Sequence, residues 1–132
     1  MTIQPLSALI FLSGYVRFIM LIRNYQEVEE EKPTLPGAEV TLRWLISEKE
    51  GAKNFAMRLF EIKKSGEKIP LHSHTFEHEI FIIKGTGKIK TKDGEWNLSE
   101  GDVVFIQAGE EHSFENISDE PFRFICVIPI LK

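Results

Sequence analysis

The stretch "PLHSHTFEHEIFIIKG", residues 70–85, contains three of the four histidines of the chain, His72, His74 and His78, within seven residues. Imidazole is the side chain best suited to donate a neutral nitrogen lone pair near neutral pH. Alternate residues of an extended segment point to one side, so His72 and His74 project together, as a His-x-His pair must to reach one ion. His78 lies four residues further on, and a short bend across "TFE" returns it towards the same point. Glu79 follows directly and competes with His78 as the third donor. In a strand, His78, Ile80 and Ile82 share one face while Glu79, Phe81 and Ile83 share the other, so only one of the two points inward. The fourth histidine, His112, begins a later apolar run after "QAGEE" and joins the cluster if a barrel brings distant strands side by side.

The elements that must carry these side chains are short. From Val40 onward, runs rich in Phe, Ile and Val recur: 40–46, 55–62, 78–84, 87–91, 103–106, 112–116 and 122–128. Breaks such as "EKEGAKN", "KKSGEK", "GTG", "KDGE", "SEGD" and "ISDEP" separate them, and no stretch has a long helical period. Many short strands at even spacing predict an all-β sandwich or barrel. "KDGE" carries the Asp-Gly pair of a tight hairpin. "GTG" at 85–87 reads as a hairpin turn rather than a dinucleotide fingerprint, since no helix follows it.

With these residues in view, the chain resembles the cupins. Gly66, His72 and His74 match the opening of the first cupin motif. Gly101, Gly109, His112 and Asn116 match the second, with Gln107 where that motif has proline. The resemblance spans about 38–130, with 38–132 as the barrel domain and 1–37 as an N-terminal extension plus first strand. It implies a jelly-roll (double-stranded β-helix) fold in a single domain. Counting back six residues from Gly85 reaches His78, in agreement with strand parity, so the expected metal ligands are His72, His74, His78 and His112. The run also resembles small cupins whose four histidines hold manganese, so Mn is the expected metal, with Fe, Zn, Ni or Cu also compatible with imidazole donors. The resemblance further implies a metal-dependent, dioxygenase-like oxidoreductase acting on a small organic molecule. A non-catalytic ligand- or metal-binding cupin and a metal-assisted isomerase are the alternatives. Small cupins commonly form homodimers through their sheets and N-terminal strands.

Other residues refine the pocket. Phe124 and Cys126 share a face of the last strand with Ile128 and are candidate pocket walls; Cys126 also fits a small buried hydrophobe. Arg58, in an otherwise apolar strand, is either an anchor for a substrate carboxylate or an edge or interface residue. Trp44 and Trp96 read as core or dimer-contact residues. The chain of 132 residues suits one domain, and a formal charge of −4 gives no reason to expect nucleic acid or an anionic membrane as partner. A single cysteine excludes an internal disulfide and fits a reducing cytoplasm. The apolar segment 3–22 has three readings: sequence upstream of a true start at Met20, an extra strand or helix, or a membrane anchor. Arg17 argues against the last, and no membrane association is expected.

Overall fold

The computed structural model describes residues 6–12, 15–33 and 39–131. Its eleven strands are β1 (Leu6–Leu12), β2 (Tyr15–Ile22), β3 (Val40–Ile46), β4 (Phe55–Ile62), β5 (Lys68–His72), β6 (His78–Lys84), β7 (Gly87–Thr91), β8 (Gly94–Leu98), β9 (Val103–Ile106), β10 (His112–Asn116) and β11 (Phe122–Pro129). Among the described residues the only helices are single 3-10 turns at Tyr25–Glu27 and Glu48–Glu50. Strands β3 to β11 form two antiparallel sheets, in the orders β3-β4-β11-β6-β9 and β5-β10-β7-β8. Among the described residues, β1 and β2 pair only with each other.

Alternation builds the interior. Along β11, Phe122, Phe124, Cys126 and Ile128 are all buried, whereas the residues between them are half-exposed. Along β6, His78, Ile80 and Ile82 face inward and Glu79, Phe81 and Ile83 face outward, which is the parity read from the sequence. Inward residues of both sheets meet in one core that includes Ile62, Ile69, Ile82, Ile89, Phe114 and Phe122. The apolar chains removed from water there supply the main driving force for the fold.

Two strands escape the sequence pattern. β5, "KIPLH", contains Pro70 and buries only Ile69, and β8, "GEWNL", buries only Leu98. Both lie at edges of their sheet, where a missing proline N–H and a poor alternation are tolerated.

"GTG" is not a hairpin turn. β6 pairs with β11 and β9, whereas β7 pairs with β10 and β8, so the chain changes sheets at Gly85–Gly87. The crossing is tight. A Cβ on Gly85 would lie 2.5 Å from the Pro121 carbonyl oxygen, and one on Gly87 would lie 2.3 Å from the Phe122 ring. Glycine is therefore needed at both positions to let the crossover lie against the closed end of the barrel. Asn116 secures that end. Its amide nitrogen donates to the carbonyls of Ile62 and Glu120, and its Oδ1 accepts from the backbone and hydroxyl of Ser118. Among the described residues, no helix is long and apolar enough to cross a membrane.

Candidate functional site

The four histidines meet at the opposite end. His72 closes β5 and stands in register with His112, which opens β10. His74 follows β5 in a loop whose position is held by the Gly109 N–H donating to the His74 carbonyl at 2.6 Å. His78 opens β6. Ring centroids are 4.4 Å apart for His72–His112, 4.8 Å for His72–His74, 4.9 Å for His74–His78 and 5.3 Å for His78–His112. The barrel thus gathers all four rings, while Glu79 points out on the other face of β6.

Second partners orient the rings. His72 Nδ1 lies 2.7 Å from the Pro70 carbonyl and His112 Nδ1 2.8 Å from the Glu110 carbonyl. A carbonyl only accepts, so both histidines carry a proton on Nδ1, and in the neutral ring the lone pair is then on Nε2. His78 Nδ1 lies 3.2 Å from Cys126 Sγ. Its Nε2 is buried and has no hydrogen-bond partner. His74 instead stacks on Phe76, with centroids 5.0 Å apart. Burial is the main force holding the pKa of His74 and His112 below the ordinary histidine value, and it lowers that of His78 to about 3, assisted by the Arg58 charge. These three imidazoles are neutral at physiological pH, the form that donates to a cation.

Among the described residues, no group of three or more His, Cys, Asp or Glu side chains is drawn tightly enough to clasp an ion. The donor set nevertheless fits a cation. A ring nitrogen, His78 Nε2, on a residue only 4 % exposed is costly to bury without a partner, and the nearby His72 and His112, protonated on Nδ1, turn no Nε2–H towards it in their neutral forms.

The histidines line an inner cavity of about 50 Å³ together with Arg58, Phe124 and Cys126. Arg58 is not an edge residue: β4 lies between β3 and β11, and the guanidinium turns inward. Its Nη2 donates to Cys126 Sγ at 3.1 Å, and its Nε is buried without a partner. The guanidinium also lies over the rings of Phe60 and Trp44, at 4.9 and 5.5 Å from their centroids. Burial pushes the Cys126 thiol pKa up, with the Arg58 charge pulling the other way.

A larger pocket of about 730 Å³ is lined by Trp44, Ala56, Phe76, Ile128 and Ile130 together with Glu27, Glu29, Glu31 and Glu48. Phe76 links the two regions, since it lines the larger pocket and stacks on His74 and His78, which line the inner cavity. Sequence reasoning passed over Phe76, although it is the one hydrophobe between the His-x-His pair and His78. Trp44 packs against the core, as read from the sequence, and also lines the larger pocket, whereas Trp96 is 52 % exposed.

Two antiparallel sheets around one core, with the four histidines gathered on a small inner cavity, define a jelly-roll protein. The chain belongs to the cupin-domain family, whose model matches residues 58–128. It is 34 % identical over 117 residues to an oxalate-binding protein of Thermotoga maritima, covering 85 % of this chain and 95 % of that one. Among solved structures it is similar to the polyketide cyclase RemF of Streptomyces resistomycificus, with 31 % identity, a TM-score of 0.77 and coverage of 84 % and 80 % of the two chains. It is also similar to a predicted oxalate decarboxylase of Thermotoga maritima, with 28 % identity, a TM-score of 0.69 and coverage of 82 % and 97 %.

Proposed function

We propose that the chain is a divalent-metal-dependent oxidoreductase of the dioxygenase type, acting on a small organic molecule. His72, His74, His78 and His112 would hold the ion, with Mn favoured and Fe, Zn, Ni or Cu compatible with the same donors. The observation that carries this reading is the buried, unpartnered Nε2 of His78 among three further imidazoles. A divalent ion held by these imidazoles would supply positive charge to polarise an oxygen of a bound ligand.

The protein's own groups divide the remaining work. Arg58 Nε–H, buried and without an acceptor, is suited to an anionic or carbonyl oxygen of the ligand. The larger pocket is within the ordinary size range of small-molecule sites, and its wall of Trp44, Phe76, Ile128 and Ile130 suits an apolar portion of a small ligand. Apart from the histidines, the inner cavity is lined by no Asp, Glu or Lys among the described residues, which disfavours a metal-assisted isomerase that must move a proton between carbons. The second reading, a protein that binds its ligand without turnover, draws support from that same lack of an acid or base and from the oxalate-binding relative.

Metal analysis of purified protein and Co²⁺ titration of wild type and His78→Ala test the site. Metal in the wild type and a loss of Co²⁺ affinity of at least about tenfold in the variant are expected. No metal and equal weak affinity would defeat the proposal. Oxygen uptake with oxalate and with small hydroxy-carbonyl compounds then separates the readings, since binding without uptake leaves the non-catalytic one. Pairing into a homodimer is also proposed. Its support is an outward apolar patch on β6 and β9, where Phe81, Ile83, Val103 and Phe105 are 41–75 % exposed.

A further inference from the structure

His78 differs from the other histidines in what holds its second nitrogen. His72 and His112 are held by main-chain carbonyls, which tolerate almost any side chain at the residue supplying them. His78 is held by a side-chain sulfur, Cys126 Sγ, that is 1 % exposed and so cut off from water. The same sulfur receives Nη2–H of Arg58, because Cys126 and Arg58 stand in register on β11 and β4. A guanidinium can only donate. A sulfur has two lone pairs and can accept from Nη2–H of Arg58 and Nδ1–H of His78 together, whereas a proton on His78 Nε2 would have no acceptor within reach. The single proton of neutral His78 is then on Nδ1, and the lone pair is on Nε2, facing the other rings.

We propose that Cys126 is a positioning residue whose sulfur holds His78 in its Nδ1–H tautomer and, through Nη2, fixes the direction in which Arg58 presents Nε–H. One buried atom thereby orients both the lone pair that faces an ion and the donor that faces a ligand oxygen. The consequence for metal affinity rests on the metal-site reading above, but the tautomer does not.

The test uses the full chain as wild type, Cys126→Ser, Cys126→Val and Cys126→Ala. Imidazole ¹⁵N NMR of the metal-free protein reads the His78 tautomer, and titration with Co²⁺ alone reads affinity. Wild type and Cys126→Ser, whose hydroxyl also accepts, are expected to show His78 protonated on Nδ1. Cys126→Val and Cys126→Ala are expected to lose that preference and to bind Co²⁺ about tenfold more weakly, with Cys126→Ser within a few-fold of wild type. The two apolar variants differ in volume, so if either folds poorly the other carries the comparison. An Nε2–H tautomer in wild type, or an unchanged Nδ1–H tautomer in the apolar variants, would overturn the proposal. So would an equal loss of Co²⁺ affinity in Cys126→Ser and Cys126→Val, which would assign the effect to packing. If wild type bound no Co²⁺, the metal reading would fail, while the tautomer measurement would still decide the role of Cys126.

Discussion

β11 passes through two environments that differ in how they treat polar groups. At the closed end, Phe122 belongs to the same core as Ile62 and Ile82, and the buried amide of Asn116 has every hydrogen-bonding group engaged. Two inward residues further along, roughly 6.8 Å per pair of residues, the same face reaches Cys126 and then Ile128. Here buried polar groups stand unmatched: His78 Nε2 lacks a donor or cation and Arg58 Nε lacks an acceptor. The two orphans have opposite needs, one for positive charge and one for negative, which an ion with an oxygen ligand would meet together. Folding chemistry is complete at one end and left open at the other, and that contrast marks the site more clearly than cavity size does.

The contrast can be broken from either side. Phe122→Ala should cost about 3–5 kcal/mol in denaturant unfolding, because a fully buried ring is lost from the closed end and the neighbouring strands cannot collapse into the gap. Asn116→Ala should cost about 3 kcal/mol by leaving the Ile62 carbonyl and the 116–120 turn without partners.

At the mouth the expectation reverses. His78→Leu should leave the metal-free protein as stable as wild type or slightly more so at pH 7, since it removes an unsatisfied polar atom, yet should abolish tight metal binding. The same substitution should also change the response to acid. Burial lowers the His78 pKa from the ordinary 6.5 to about 3, so between those values the unfolded chain binds a proton that the folded one does not. The titration of His78 therefore leaves stability unchanged above about pH 6.5 and lowers it as the pH falls towards 3, by up to roughly 1.4 kcal/mol per pH unit. Urea titrations of metal-free protein across pH 4–7 should show a shallower acid slope for His78→Leu than for wild type. An unchanged slope would mean that the imidazole is hydrated in solution.

The smallest effect is expected outside the barrel. Phe81→Glu with Phe105→Glu should change unfolding free energy by less than about 0.5 kcal/mol per site, as surface changes do. In sedimentation the pair should convert a dimer to a monomer; wild type sedimenting as a monomer would remove the pairing proposal.

Much of this was readable in one dimension. Alternation in "VTLRWLI", "FAMRLFEI", "HEIFIIK" and "FRFICVI" located strands whose limits the structure reproduces almost to the residue, because burying one face of a sheet imposes a period of two. The same period placed His78 inward and Glu79 outward. β5 and β8 were not readable, since an edge strand is only partly buried and its pattern is correspondingly weak.

The amino-acid sequence by itself determined the all-β class, the inward side of each well-buried strand and the gathering of three histidines in one turn, all of which follow from local periodicity and spacing. Only the tertiary structure decided that Gly85–Gly87 changes sheets, that His112 stands opposite His72, and that Cys126 lies between Arg58 and His78. Those facts depend on the register of strands 40 to 68 residues apart, which is set by the packing of two whole sheets against each other and has no signature in any short stretch of chain.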